Sequence, residues 1–381
     1  MTEFTAGLWA PVSHASVISP TIPHIRSNSA MSRSVSRRHF LQTTSLAAAS
    51  AAIGPCFVHA SDKAGKQTPV IGTGEYEFEC HHQWGRTPEG WQWGNAHGVT
   101  FDKAGNLYVT HQLNSKEKQD AVIVFDADGA FVRSFGKQFH GGGHGLDLRE
   151  EEGTEYLYLC DMKNSVTAKL TLDGEEVWRI GVPRESGKYE KKQRYVPTNV
   201  ALMPDGGFYI ADGYGSNWIH RFDVDAKYVS TFGGTGTGEG QFKTPHGLIW
   251  DDRPGRTASL VVTDRANARI QYFDESGKFL SAQGGVSLPC DFDLHEEAMV
   301  VSDLQAIVAI LDGENKIVAR LGADPAWEKA VMANNRALRG QPDKWRPGRF
   351  IHPHDTCWDR QGNLIVAEWT HPGRLSFLRR V

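Results

Sequence analysis

One phrase recurs six times between His97 and Val381, and few folds can accommodate that. The copies open at His97 (HGVTFDKAGNLYVTH), His144 (HGLDLREEEGTEYLYLCD), Thr198 (TNVALMPDGGFYIAD), His246 (HGLIWDDRPGRTASLVVTD), Cys290 (CDFDLHEEAMVVSD) and His354 (HDTCWDRQGNLIVAE). Each starts with a short strand, turns at Asp-Gly or Gly-Asn, and continues as an apolar strand that often ends in an acid. Asp-Gly and Gly-Asn are hairpin signals. A third strand then ends in Phe-Asp in most copies and leads to an outer one. Four-stranded repeats of about 40–50 residues are propeller blades rather than the layers of a stacked sandwich. The predicted fold is therefore all-β, a six-bladed β-propeller over residues 75–381. The last copy stops after its third strand, at Val381. The segment YEFECHHQW, Tyr76–Trp84, can supply the missing outer strand, so the ring is predicted to be closed by an N-terminal strand.

What precedes the repeats looks like an address. SRRHFLQ at Ser36–Gln42 has twin arginines before an aromatic residue and a leucine. A short apolar run follows, and VHA ends in small residues at Ala60. This is the pattern of a twin-arginine export signal, with an ordinary surface helix as the competing reading. Residues 1–60 are expected to be removed, with Met31 a candidate true start and residues 61–74 a linker. The apolar run is too short for a stable membrane anchor, and Pro55 before Cys56 argues against lipid attachment. The expected setting is bacterial, periplasmic or secreted, with the twin-arginine export machinery as a partner. Such substrates fold before export, so Cys80, Cys160, Cys290 and Cys357 are expected to be free and buried, and they show no C-x-x-C spacing. A net charge of −4 and no basic patch give no sign of nucleic-acid binding.

Blade geometry gathers particular residues. The first residue of each copy and the residues after its second strand lie on the same face of the ring. His144, His246 and His354 open alternate copies, about 120° apart in a six-fold ring. Three imidazoles with an open fourth position suit a catalytic zinc, and polar residues lining a wet channel would look the same. His97 occupies the same slot in the first copy and breaks the three-fold pattern. Tyr214 and Arg265 follow second strands and face the same side. A tyrosine beside a cation can act as a base, and an arginine suits a carboxylate or developing anion. Rim hydrogen-bonding is the plainer alternative for both.

The repeated phrase resembles the NHL repeat. More specifically, HGLDL at His144, VPTNVAL and ADGYGSNWI within Val196–Ile219, GQFKTPHGL at Gly240–Leu248, TDRANARIQ at Thr263–Gln271 and HPHDT at His352–Thr356 resemble the lyase domain of the peptidylglycine α-amidating enzymes. The resemblance implies catalytic zinc on His144, His246 and His354, a catalytic tyrosine at Tyr214 and an active-site arginine at Arg265. It also implies a structural calcium held by Asp355 and the backbone carbonyls of Val99 and Leu146. The implied reaction splits peptidyl-α-hydroxyglycine into an amide and glyoxylate, so the partner would be a small-molecule or peptide substrate. Three positions depart from the family and are candidates for the substrate pocket. A second family arginine is Gln112 here, a methionine is His352, and His97 is additional.

Two insertions face the same side. Residues Trp327–Leu338 are predicted to form a short helix within a lid at Asp324–Phe350. Val182–Pro197 is basic and could attract an anion or simply be solvated. Trp91 and Trp93 either line the pocket or pack beneath it. Two other functions fit a propeller: a metal-dependent hydrolase of the lactonase kind, and a non-catalytic ring that binds peptide, glycan or protein. An all-histidine ligand set counts against the first, whose sites usually carry carboxylates.

Overall fold

The computed structural model describes residues 68–190 and 193–381. The export signal, Met31 and Cys56 lie outside these residues. Within them the chain forms six antiparallel sheets, five with four strands and one with five. Their inner strands are Asn95–Phe101, Gly143–Glu151, Val200–Leu202, Pro245–Asp251, Pro289–His295 and Pro353–Trp358. Each packs against the next, and the sixth packs against the first, so the ring is closed. In the sixth sheet Tyr76–His82 pairs antiparallel with the C-terminal strand Arg374–Arg380, and Val70–Thr73 adds a fifth strand outside it.

The turns follow from their sequences. Asp126, Asp223, Asp274, Asp312 and Asp359 each accept the backbone N–H two and four residues ahead through the same carboxylate oxygen. An aspartate used this way builds the turn locally. Three residues on, the backbone is left-handed, with glycine at Gly129, Gly277 and Gly362. Ala226 and Asn315 adopt the same conformation in blades three and five.

The core is divided by blade interface. Val122, Val124 and Tyr108 of blade one meet Leu157 and Leu159 of blade two. Val300 and Val308 of blade five meet Leu364, Val366 and Leu378 of blade six, where Phe78 of the N-terminal strand also packs. Tyr209 and Ala211 of blade three meet Leu260 and Val262 of blade four. Comparable clusters fill the other interfaces. Burying apolar area at about 25 cal/mol per Å² is the main force holding such blades together.

The acid at the end of the second strand ties down the loops of the upper face. Asp161, Asp212, Asp264, Asp303 and Glu368 each accept backbone N–H groups from that face, for example Val196 N to Asp212 at 2.6 Å and Ile351 N to Glu368 at 2.7 Å. His111 does the same in blade one, accepting from Gly94 N at 3.0 Å. Cys80, Cys160, Cys290 and Cys357 are free and buried. Among the described residues no helix is long and apolar enough to cross a membrane. The helix in the insertion spans Pro325–Met332, capped by the Asp324 side chain. It stops short of the predicted Leu338 because Asn334, Asn335 and Arg336 all have positive φ, which the right-handed helix cannot take.

Candidate metal centre and pocket

The histidines reach the channel because the strands that carry them are irregular. Five inner strands shift register at their opening residues, between Ala96 and Val99, Gly143 and Leu146, Pro245 and Leu248, Pro289 and Phe292, and Pro353 and Asp355. A bulge re-aims side chains. His354 and Asp355 therefore both face the channel, at successive levels, rather than pointing to opposite sides of a regular strand. Glycine follows the histidine in three copies because the next blade comes too close for a side chain. A Cβ on Gly98 would lie 2.6 Å from His144 O, and one on Gly247 2.3 Å from Cys290 O.

At the first level four imidazoles meet. Ring centroids of His144, His246 and His354 lie 4.7–4.8 Å apart, and His97 lies 4.4 Å from His354 and 4.7 Å from His144. All four are buried. His144 Nδ1 faces Thr198 O at 2.7 Å, and His246 Nδ1 faces Cys290 O at 3.0 Å. A carbonyl only accepts, so both Nδ1 atoms carry the proton and both Nε2 atoms present lone pairs. Those two Nε2 atoms are 3.2 Å apart, with no proton to share. Burial, and after it the charge of Arg265, holds these rings neutral. The pKa of His144 falls to about 3 and that of His246 well below its usual value. Two facing lone pairs repel unless a cation lies between them. Tetrahedral coordination with metal–nitrogen bonds of 2.0–2.1 Å places ligand nitrogens roughly 3.4 Å apart, so the residues present fit a metal.

The other two imidazoles are less constrained. His97 Nδ1 lies 3.2 Å from His354 Nε2, while His97 Nε2 and His354 Nδ1 are buried without partners. Nitrogens of His97, His144 and His354 lie within 4.8 Å of one another. His97 is thus part of the cluster. His352 is not. Its Nδ1 donates to Leu304 O at 2.6 Å and its ring packs 5.8 Å from Trp369.

Tyr214 and Arg265 stand beside the cluster. The Tyr214 ring is 5.4 Å from both His144 and His246, and its hydroxyl accepts from Arg265 at 2.8 Å. Burial raises the phenol pKa, and the guanidinium opposes that rise. Arg265 also donates to Cys290 Sγ at 3.0 Å and is buried. A cavity of about 290 Å³ opens over these groups, lined also by Gln112, Met162, Leu304, Arg336 and Trp369. The strand registers place Gln112, Met162, Arg265, Leu304 and Trp369 at one equivalent position, just after the loop-tying residue of five blades, with Gly213 in the same place in the third. Trp91 and Trp93 are elsewhere, packed on His111, Phe131 and Phe125.

A second cavity, of about 420 Å³, occupies the other mouth of the channel. It holds Asp147, Asp291, Asp293 and Asp355, together with Val99, Leu146 and Asn199. Asp355 accepts from Val99 N at 2.8 Å and Thr356 N at 2.7 Å. Burial raises all four carboxyl pKa values, to about 6 at Asp147 and about 7 at Asp293. The neighbouring Asp291 charge raises Asp355 further, and that of Asp147 raises Asp291. Val99, Leu146 and Asp355 are the residues expected here from the sequence; Asp147, Asp291 and Asp293 are additional. Asp291 and Asp293 occupy the positions in CDFDL that Asp355 and Cys357 occupy in HDTC, so aligning the copies could have found the first of them.

No protein-family model matches the chain. Its curated relatives include amidating lyases and amidating monooxygenases. It is 24% identical over 312 residues to peptidyl-α-hydroxyglycine α-amidating lyase 1 of Drosophila melanogaster, covering 73% of this chain and 55% of that protein. A probable lyase of the same name from Caenorhabditis elegans is 23% identical over 305 residues, covering 75% and 80%. Peptidyl-glycine α-amidating monooxygenase B of Xenopus laevis is 34% identical over 214 residues, covering 49% and 24%. The chain thus spans about half the length of the fly enzyme and a quarter of the frog one. Among solved structures, a catalytically inactive virginiamycin B lyase from Staphylococcus aureus with quinupristin superposes with a TM-score of 0.53. The match is 13% identical and covers 80% of this chain and all of that one. A streptogramin B lyase gives 0.51 at 12% identity, covering 79% and 97%. These structural likenesses support the propeller fold alone.

Proposed function

We propose that the chain is a zinc-dependent lyase that splits the carbon–nitrogen bond of an α-hydroxy-amide, yielding an amide and glyoxylate or a similar aldehyde. One observation carries this reading: the facing Nε2 lone pairs of His144 and His246, 3.2 Å apart, with Tyr214 beside both rings. Similarity to amidating lyases supplies the reaction. His144, His246 and His354 would hold the metal, and an all-imidazole set suits zinc. When bound, the metal supplies a Lewis acid that makes the substrate hydroxyl more acidic.

The chain's own residues account for the proton. The Tyr214 oxygen, fixed by Arg265, takes the hydroxyl proton. As that proton leaves, the hydroxyl oxygen forms a carbonyl with its carbon and the carbon–nitrogen bond breaks. The proton held at Tyr214 then passes to the departing nitrogen. No water is consumed, so the step is an elimination rather than a hydrolysis. Arg265 keeps its charge while buried and favours the ionised phenol. At the other mouth Asp355, with the carbonyls of Val99 and Leu146, is proposed to hold a structural calcium, whose oxygen preference the carboxylates match. Assignment of the repeats to the NHL class and export by the twin-arginine route belong to the same proposal.

Incubating the metal-loaded chain with α-hydroxyhippurate and measuring glyoxylate tests the reading. The native chain should release glyoxylate, and Tyr214→Phe should lower turnover by about 10²–10⁴-fold while keeping its metal. A metal-loaded native chain that releases none would overturn it.

A further inference from the structure

We propose that Arg336 and Arg339, carried by the insertion before blade six, form the anion subsite of the pocket and grip a carboxylate of the substrate. This deepens the lyase reading and rests on it only for the identity of the reacting group.

The cavity over the histidines is lined by donors and lacks acids. Arg265, Arg336 and Gln112 line it, and no aspartate or glutamate does. Gln112 Nε2 is buried there without an acceptor. The nearby acids are already engaged. Asp324 caps the insertion helix and pairs with Arg349. Glu368 is held by Arg374, Ser376 and the Ile351 N–H. Among the described residues neither Arg336 nor Arg339 makes an ion pair. Arg339 instead stacks with its guanidinium carbon 3.2 Å from the centre of the Trp369 ring, and Arg336 lies 5.9 Å from the same ring. Burial, then the neighbouring Arg336, lowers the Arg339 pKa to about 10, as expected for two cations without a counter-charge.

The backbone is built to hold them there. Asn334, Asn335 and Arg336 take three successive left-handed conformations, with φ of 50°, 52° and 61°. The segment is fastened on both sides. His371 N donates to Arg339 O at 2.8 Å, and Trp345 Nε1 donates to Leu338 O at 2.8 Å. A strained segment that is pinned in place, presents the unpaired guanidinium of Arg336 to the cavity and stacks that of Arg339 on the lining residue Trp369 suits recognition of a carboxylate. Arg336 brings a guanidinium into the same cavity as Gln112, from a different element.

Calorimetric titration of the full, metal-loaded chain with hippurate, and with its neutral amide hippuramide, tests this. Hippurate should bind the native chain more tightly than hippuramide. Arg336→Gln should weaken hippurate at least tenfold and leave hippuramide unchanged, Arg336→Gln with Arg339→Gln should weaken hippurate further, and Arg336→Lys should retain part of the affinity. Equal affinity for acid and amide, no binding of hippurate to the native chain, or no effect of Arg336→Gln in a chain with native thermal stability would each overturn the subsite. The two readings fail separately. Hippurate binding that needs Arg336, without any glyoxylate release, would sink the lyase alone. Glyoxylate release with an unchanged KM in Arg336→Gln would sink the subsite alone.

Discussion

The two mouths of the channel are built from the same six strands and carry opposite chemistry. At one, four imidazoles lie beside a cavity lined by Arg265 and the unpaired Arg336. At the other, four carboxyl groups converge. Burial shifts both sets toward their neutral forms, the imidazoles by lowering their pKa values and the carboxyls by raising them. The contrast teaches that desolvation alone does not choose a ligand. The donor atoms do, because nitrogen lone pairs suit a transition metal and clustered carboxylate oxygens suit a hard cation.

The largest expected effect comes from breaking one mouth at a time. His246→Ala should take transition-metal content from about one ion per chain to a small fraction of that and leave calcium binding intact. Asp355→Asn should do the reverse, abolishing the rise in unfolding temperature on adding calcium. Elemental analysis and thermal melts of both variants decide this, and a single variant that loses both ions would collapse the distinction between the mouths.

Proton competition sharpens the comparison. At the carboxyl mouth folded-state pKa values of about 6 and about 7, for Asp147 and Asp293, lie above the ordinary 3.8. Lowering the pH from 8 to 6 therefore protonates carboxyl groups beside Asp355 and removes negative charge that favours calcium. Its affinity should fall by up to about tenfold per pH unit for each proton displaced. At the imidazole mouth the shift has the other sign. With the His144 pKa lowered to about 3, its lone pair is already free at pH 6, so transition-metal affinity should hold steady over the same window. Titrations of each ion at pH 6, 7 and 8 measure both slopes, and parallel slopes would contradict the assignment.

The smallest effect concerns His97. Its Nδ1 approaches His354 Nε2, yet no carbonyl fixes its tautomer, unlike those of His144 and His246. His97→Gln should weaken transition-metal binding about tenfold, within the range for residues that support a metal ligand, without changing calcium affinity. Competition with a chelator reports the change, and a loss as complete as that of His246→Ala would place His97 among the primary ligands.

How far the sequence was legible depends on where each signal is stored. The blades were legible because their turns are local, with an aspartate binding its own next residues and a left-handed residue three places on. His144, His246 and His354 were legible because each opens a repeat copy. Tyr214 and Arg265 were legible because each follows a second strand. The bulge at the head of the inner strands was not, since it shows only in pairing with the neighbouring strand. Arg336, Arg339 and Trp369 were missed. Arg336 and Arg339 lie in the insertion, outside any repeat position that would mark them, while Trp369 follows the second strand of blade six, as Arg265 does in blade four, and aligning the copies could have found it.

By itself the sequence determined the number of blades and the residues that head them, because strand period and turn chemistry act over a few residues. Only the tertiary structure decided which nitrogens face one another, that His97 joins the cluster while His352 turns away to Leu304, and that an insertion brings the unpaired Arg336 into the cavity over the histidines. Those relations span tens to hundreds of residues along the chain and come into being only when the ring closes.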